Sequence, residues 1–430
     1  MDKIIHRPRT ISGRVNMPGD KSIAHRAVML GGISRGQGLI NNFPASADCL
    51  STVACLASLG VRIDRIDGTT LRIHGGGLRS LKPPPAPLNA GNSGTTLRLL
   101  SGLLAGQTFA VTLTGDDSLR RRPMRRIIEP LRAMGAEISG SDGGRFAPLH
   151  IQGGRLRPID HTLPVASAQL KSALLLAGLY ADGRTTVRSP VPCRDHTERM
   201  LIHRGADLNV SGDVITIEGG GELAADDIAV PGDLSSAAYF IMAAILVLGS
   251  RLRIDGVGLN PTRTGLLKVL DDMGAEISLS GERLVCNEPV ADLSVRSSEL
   301  SAIEISGPII PSLIDELPVL AVAATQARGT TVVRNAAELR VKESDRIAAM
   351  AGELQKMGAR IEVTGDGWII EGPTPLSGAL VDSHGDHRVA MALTVAALVA
   401  EGETCIRNAE SVEVSFPGFW ELLNTVGRFS

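Results

Sequence analysis

Met134-Gly135-Ala136-Glu137-Ile138 and Met273-Gly274-Ala275-Glu276-Ile277 place one five-residue string at two points of the chain. Each string ends an apolar helical pattern with a Gly and then begins an alternating strand pattern. Gly just past a helix supplies the left-handed dihedrals that close its last turn, and alternation fits a half-buried strand. Variants follow at Leu59-Gly60-Val61-Arg62-Ile63, Arg204-Gly205-Ala206-Asp207-Leu208 and Met357-Gly358-Ala359-Arg360-Ile361, and weakly at Val426-Gly427-Arg428-Phe429. The glycines are 75, 70, 69, 84 and 69 residues apart. Six matches at near-constant spacing predict about six copies of one α/β unit.

Each copy also contains a second, nearly uncharged helix, as in 236–248 and 389–400, which must be surrounded by other elements. The openings of these helices are polar: Pro18-Gly19-Asp20-Lys21-Ser22, Gly91-Asn92-Ser93-Gly94-Thr95, Ser167-Ala168-Gln169, Pro231-Gly232-Asp233-Leu234-Ser235-Ser236, Ile314-Asp315-Glu316-Leu317-Pro318 and Gly385-Asp386-His387-Arg388. For any one opening, N-capping by Asp, Ser or Asn is the simplest reading. Six openings that carry Lys21, Gln169, Asp315 and Arg388 point further, to anion sites at helix N-termini. The two Pro-Gly-Asp openings divide the copies three and three. They predict two pseudo-equivalent domains, residues 1–18 plus 231–430 and residues 19–230, joined by two crossings, with ligands in the cleft between them.

The 430 residues carry 44 basic and 46 acidic groups, a net charge of −2, so no global field holds a nucleic acid or an anionic membrane. Anions must instead meet local clusters, and 37 of the basic residues are Arg, suited to bidentate grip. An aromatic content of 3% argues against base-stacking platforms. The amino terminus has no apolar leader, and the longest uncharged apolar run, 237–249, falls short of the ~18 residues of a span. The expectation is a soluble, cytoplasmic protein. Five cysteines without CxxC spacing suggest reduced, mostly buried thiols and no zinc site.

Charge is densest at Arg120-Arg121-Arg122-Pro123-Met124-Arg125-Arg126. With Pro123 in a first helical turn, Arg122 stands just outside a helix start, while Arg125, Arg126 and Arg132 fall on a solvated face. The second concentration is Glu338-Leu339-Arg340-Val341-Lys342-Glu343-Ser344-Asp345-Arg346. Its simplest reading is a loop of paired charges capped by Ser344 or Asp345. Glu343 between Lys342 and Arg346 is also a candidate general acid, provided burial or substrate charge offsets the pull of its cationic neighbours.

The openings at Pro18, Gly91, Ser167 and Asp386, together with Ile23-Ala24-His25-Arg26, Thr96-Leu97-Arg98, Arg122-Pro123-Met124, Leu170-Lys171-Ser172-Ala173 and residues 339–346, resemble the 5-enolpyruvylshikimate-3-phosphate synthase family in order along the whole chain. The resemblance implies two domains of three βαβαββ units each, with the active site in the interdomain cleft. It implies transfer of the carboxyvinyl group of phosphoenolpyruvate to the 5-hydroxyl of shikimate 3-phosphate, releasing phosphate through a tetrahedral intermediate, in aromatic amino acid biosynthesis. No metal or organic cofactor is implied, and the expected partners are the two small substrates, with no nucleic acid, no membrane and a monomeric chain. Lys21, Ser22, Arg26, Ser167, Ala168, Gln169, Asp315 and Lys342 correspond to shikimate 3-phosphate ligands. Lys21, Gly94, Arg122, Gln169, Arg346 and Arg388 correspond to the phosphoenolpyruvate side. Asp315 corresponds to the proton acceptor, and Glu343, helped by Lys21, to the proton donor.

Three positions depart from the family pattern. Ser167-Ala168-Gln169 replaces a Ser-Ser-Gln of many relatives, Leu339 stands where some have Asn, and Val414-Ser415-Phe416-Pro417 lacks a Lys that some place ahead of Phe-Pro. Gly94 keeps the small residue that leaves room for phosphoenolpyruvate and for glyphosate, an expected inhibitor. One alternative is a UDP-N-acetylglucosamine enolpyruvyl transferase, which opens on Lys-Asn and carries a loop Cys; here Lys21 precedes Ser22, and no Cys lies between Cys55 and Cys193. The other is a non-catalytic repeat scaffold binding phosphorylated partners through 120–126, which leaves Asp315 and Glu343 without a role.

Overall fold

The computed structural model describes residues 1–429. Five of the six glycines close helices as the repeat requires. Gly60, Gly135, Gly205, Gly274 and Gly358 have φ between +80° and +98°. Each follows the C-cap of Ala47–Ser58, Arg125–Ala133, His196–His203, Gly265–Asp272 or Arg346–Lys356. In every case the amide two residues past the cap bonds back to the carbonyl five residues earlier, as in Ala136 N to Leu131 O at 3.1 Å and Ala359 N to Leu354 O at 3.0 Å. This is the Schellman pattern, and only a residue free of a Cβ adopts it without strain. Gly427 differs: its φ is −73°, and it begins the two-residue strand Gly427–Arg428 beside Thr10–Asn16. The sixth match is therefore a strand start, set by pairing with the chain's first residues.

The chain divides into two compact units, residues 1–18, 231–284 and 289–430, and residues 19–230 with 285–288. The four residues 285–288 thus count with the second unit, and they interrupt the continuous 231–430 span and the two crossings expected from sequence. Each unit has its own aliphatic core. In the 19–230 unit, three four-stranded sheets share one plan: a short strand parallel to a central one, which pairs with an antiparallel hairpin. Their central strands are Arg35–Asn41, Ala110–Thr114 and Arg184–Arg188. In the other unit the sheet around Gly329–Val333 repeats that plan. The remaining two sheets depart from it, one with five strands that include Thr10–Asn16 and one with three that include Lys3–Ile5.

The apolar helices are buried along almost their whole length. They are Lys21–Ile33, Gly94–Ala105 and Ala168–Gly178 in one unit, and Leu234–Leu246, Leu317–Gln326 and His387–Val399 in the other. Their bodies are almost wholly apolar because every face meets a sheet or another helix, and the three of the 19–230 unit each carry one buried cation near the start, Arg26, Arg98 and Lys171. Side chains of Asp20, Ser93, Ser167, Asp233 and Asp386 cap five of them; Glu316 precedes the sixth without a side-chain cap. Capping is therefore real at most openings, and it accounts for the polar residue at the cap but not for the cations beside it.

Candidate active site

In the 19–230 unit, three helix openings bring polar groups together. Lys21 Nζ lies 3.3 Å from Asp48 Oδ2, and the Asp48 carbonyl accepts from Thr96 Oγ1 at 3.5 Å. Thr96 follows Gly94, where an added Cβ would stand 2.9 Å from Arg98 Nη1 and 3.5 Å from Arg122 Nη1. Arg98 donates to Gln169 Oε1 at 2.7 Å and to the Pro123 carbonyl at 3.3 Å, while Gln169 Nε2 donates to Thr95 Oγ1 at 3.1 Å. Arg122 donates from Nη2 to Asn92 Oδ1 at 2.5 Å and to Ser118 Oγ at 3.4 Å. Gly94, Arg122 and Gln169 are thus gathered around Arg98.

Arg26 donates to the Ser22 carbonyl, Thr197 and Ser172. Ser167 caps its helix through Leu170 N, and Ala168 brings no polar side-chain atom. His25, one residue before Arg26, is pushed down to about 4, mainly by burial, and so stays neutral in its hydroxyl chain with Thr52 and Thr96.

Two details of the basic run differ from expectation. The helix after it begins at Arg125 with Met124 as N-cap, so Pro123 precedes the helix and Arg122 follows the short Asp117–Arg120 turn instead. Arg126 is half-buried, whereas Arg125 and Arg132 are exposed. Packing of Ile127 and Ile128 into the core rotates that side of the first turn inward.

In the other unit, Arg346 is the centre of a charged cluster. Its side chain is 1% exposed, and it donates from Nε and Nη2 to both carboxylate oxygens of the wholly buried Asp386, at 2.8 and 3.2 Å. Nη2 also donates to Glu343 Oε2 at 2.6 Å. Nη1 lies 3.6 Å from Asp315 Oδ1, too far for a hydrogen bond, and has no hydrogen-bond partner among the described residues. Arg388 Nη2 lies 3.6 Å from Asp315 Oδ2, and its Nη1 donates to the Asp315 carbonyl at 3.1 Å. Asp315, Glu343, Arg346 and Arg388 are therefore neighbours.

Burial alone would lower both guanidinium pKa values. The attraction of Asp386 outweighs it at Arg346, that of Asp315 outweighs it at Arg388, and both are raised. Lys342 stands at the edge of the cluster, 3.8 Å from Glu338 Oε1. Desolvation lowers its pKa, with the Asp315 charge acting in the opposite direction. The simple reading of 338–346 also holds in part: Asp345 caps the following helix and pairs with Arg340 at 2.8 Å.

Sequence reasoning did not single out Asp386, Arg98 or Asp48 as site residues. Asp386 and Arg98 stood in quoted motifs and Asp48 in none, and each acts on a partner 27 to 71 residues away in the chain. At the departures, Leu339 is fully buried in the core, Val414 is exposed, and Phe416 packs against Phe240 and Phe419. Among the described residues no group of three or more His, Cys, Asp or Glu is placed to hold a metal ion, and no helix is long and apolar enough to cross a membrane. Cys49, Cys55 and Cys193 are buried, and Cys286 and Cys405 are partly so.

A family model for EPSP synthase (3-phosphoshikimate 1-carboxyvinyltransferase) matches residues 5–423. The chain is 51% identical over 426 residues to the 3-phosphoshikimate 1-carboxyvinyltransferase of Desulforamulus reducens, covering 99% of both chains. It is 53% identical over 427 residues to that of Pelotomaculum thermopropionicum, again covering 99% of each. The solved structure of EPSP synthase from Acinetobacter baumannii superposes with a TM-score of 0.91 at 43% identity, over 100% of this chain and 98% of that one. With a family match over nearly the whole length and relatives at about half identity, this chain belongs to the EPSP synthase family.

Proposed function

We propose that the two polar sets described above carry the reaction of the family. That reaction moves the carboxyvinyl group of phosphoenolpyruvate to shikimate 3-phosphate, a step of the shikimate pathway of aromatic amino acid biosynthesis, and as a member this chain is a carboxyvinyltransferase. The observation that carries the residue-level reading is the Arg346 cluster. A guanidinium sealed from water keeps one terminal nitrogen without a hydrogen-bond partner among the described residues, beside two carboxylates and a second arginine. A buried donor of that kind is costly unless an anion completes it.

In this reading Lys21, Gly94, Arg122, Gln169, Arg346 and Arg388 take phosphoenolpyruvate. Lys21, Ser22, Arg26, Ser167, Ala168, Gln169, Asp315 and Lys342 take shikimate 3-phosphate. Two polyanions repel each other, so several fixed cations are needed to hold them in attacking range. Asp315 accepts the proton of the 5-hydroxyl as its oxygen bonds to C2 of phosphoenolpyruvate. Glu343, helped by Lys21, delivers a proton to C3, and the tetrahedral intermediate forms. Loss of a proton from C3 and cleavage of the bond from C2 to the phosphate oxygen then release phosphate and restore the double bond. The reading also holds the protein to be a cytoplasmic monomer and a target of glyphosate at the phosphoenolpyruvate position.

The test is inorganic phosphate release from phosphoenolpyruvate with shikimate 3-phosphate as acceptor, repeated with UDP-N-acetylglucosamine. Release with the first acceptor alone is expected. Release with the second alone, or with neither, overturns the assignment.

A further inference from the structure

Arg26 is 4% exposed, yet its partners among the described residues are all uncharged oxygens. Nε donates to Thr197 Oγ1 at 2.6 Å, Nη2 to Ser172 Oγ at 2.7 Å and Nη1 to the Ser22 carbonyl at 2.7 Å. The two hydroxyls are themselves 2.7 Å apart, and both residues are fully buried. They form a pair matched to the edge of the guanidinium that carries Nε and Nη2. Of its five N–H groups, three are used, which leaves one on each terminal nitrogen. Two such N–H groups are what an oxyanion takes in bidentate fashion.

We infer that Ser172 and Thr197 are positioning residues for Arg26, fixing the plane of its guanidinium without a direct ion pair that would compete with the anionic acceptor; this rests on the reading of Arg26 as a shikimate 3-phosphate ligand. Hydroxyls suit this task better than a carboxylate, which would neutralise the arginine and compete with the substrate for it. The carboxylates whose charge reaches Arg26 are held by other groups: Asp20 accepts from Ile23 N at 3.0 Å, Glu288 Oε1 lies 2.7 Å from His196 Nδ1, and Glu198 Oε1 lies 2.6 Å from Lys171 Nζ.

That ion pair also makes the platform rigid. Lys171 and Ser172 are adjacent on the Ala168–Gly178 helix, and Thr197 and Glu198 are adjacent on His196–His203. The two helices therefore carry parallel rungs, Lys171 to Glu198 and Ser172 to Thr197. Lys171 Nζ also donates to the Cys193 carbonyl at 3.1 Å, and His196 Nδ1 lies 2.7 Å from Glu288 Oε1, which anchors the segment before Thr197 as Glu198 anchors it just after. A platform tied at both ends holds the hydroxyls still, and a fixed donor geometry keeps the loss of side-chain freedom on binding small.

The experiment compares Thr197→Val, Ser172→Ala, Thr197→Ser and Arg26→Ala in the full chain by steady-state kinetics, with a thermal melt of each. Thr197→Val and Ser172→Ala should each raise KM for shikimate 3-phosphate about tenfold, the scale of one charge-assisted hydrogen bond. KM for phosphoenolpyruvate should stay within twofold and kcat within threefold. Thr197→Ser, which keeps the hydroxyl, should restore KM, and neither hydroxyl variant should exceed the effect of Arg26→Ala. If Arg26→Ala raises KM for shikimate 3-phosphate while Ser172→Ala and Thr197→Val leave it unchanged, the positioning role is wrong. If Arg26→Ala itself leaves that KM unchanged, the ligand reading of Arg26 has failed. Should Thr197→Val not fold, Ser172→Ala and Thr197→Ser decide the matter alone.

Discussion

Asp386 holds one edge of Arg346 with both carboxylate oxygens, Nε 2.8 Å from Oδ2 and Nη2 3.2 Å from Oδ1, both side chains sealed from solvent. The same carboxylate caps its own helix through Arg388 N at 2.9 Å and accepts from Ser344 Oγ at 3.1 Å. One buried anion thereby fixes the guanidinium of Arg346 and the helix start that carries Arg388.

Replacing Asp386 by Asn should lower stability at pH 7 by about 3 kcal/mol, because it removes the buried partner of the Arg346 guanidinium and leaves its charge to the more exposed Glu343 and Asp315. Burial would raise the Asp386 pKa, but the Arg346 charge overrides it and holds the group below the ordinary carboxylate value. A depressed folded value means the contribution is present above about pH 4 and lost as pH falls through the folded value. Urea midpoints of the two proteins should therefore converge in acid. A gap as wide at pH 3 as at pH 7 contradicts the argument.

Asp315 lies 3.6 Å from both Arg346 and Arg388, Glu343 accepts from Arg346, and the proposed mechanism gives each a proton to move. Asp315→Ala and Glu343→Gln should each cut kcat by about 10² to 10⁴, with thermal midpoints close to the parent. Phosphate release at saturating substrates measures it; near-normal turnover in either variant removes that residue from the chemistry.

A methyl at Gly94 would press on Arg98 Nη1 at 2.9 Å and approach Arg122. Gly94→Ala is expected to raise the inhibition constant of glyphosate, measured against phosphoenolpyruvate, by a larger factor than the KM of phosphoenolpyruvate itself. Equal factors for the two ligands would show that the position does not discriminate between them.

His25 is held near pH 4 by burial, below its ordinary 6.5. Its folded value lies under its unfolded one, so the neutral form stabilises the fold fully above pH 6.5, and up to about 3 kcal/mol is lost as pH falls toward 4. The unfolding midpoint should decline less steeply over that interval in His25→Gln than in the parent. Parallel declines would mean that His25 is not the titrating group.

Gly205 has φ +80° and nothing within 4 Å of an added Cβ. Gly205→Ala should thus cost about 1 kcal/mol from backbone strain alone, seen as a lowered thermal midpoint with unchanged kinetics. No loss of stability would argue against the strained closure of that helix.

Much of this protein is local in origin and so legible in one dimension. Gly60, Gly135, Gly205, Gly274 and Gly358 mark helix ends because a left-handed residue is needed within one turn of each. The buried helices were visible for a similar reason, since a segment with no polar face has to be surrounded, and so were the polar openings that carry Lys21, Asp315 and Arg388. Only tertiary structure decided which charges meet. Asp386 with Arg346, Arg98 with Gln169, and Ser172 and Thr197 with Arg26 join residues 40 to 171 positions apart. It also turned the sixth glycine into a strand start, since Gly427 pairs with Ile11 near the beginning of the chain. Propensity and periodicity act over a few residues, whereas the partner of a buried charge is set by which helix ends the core packs side by side.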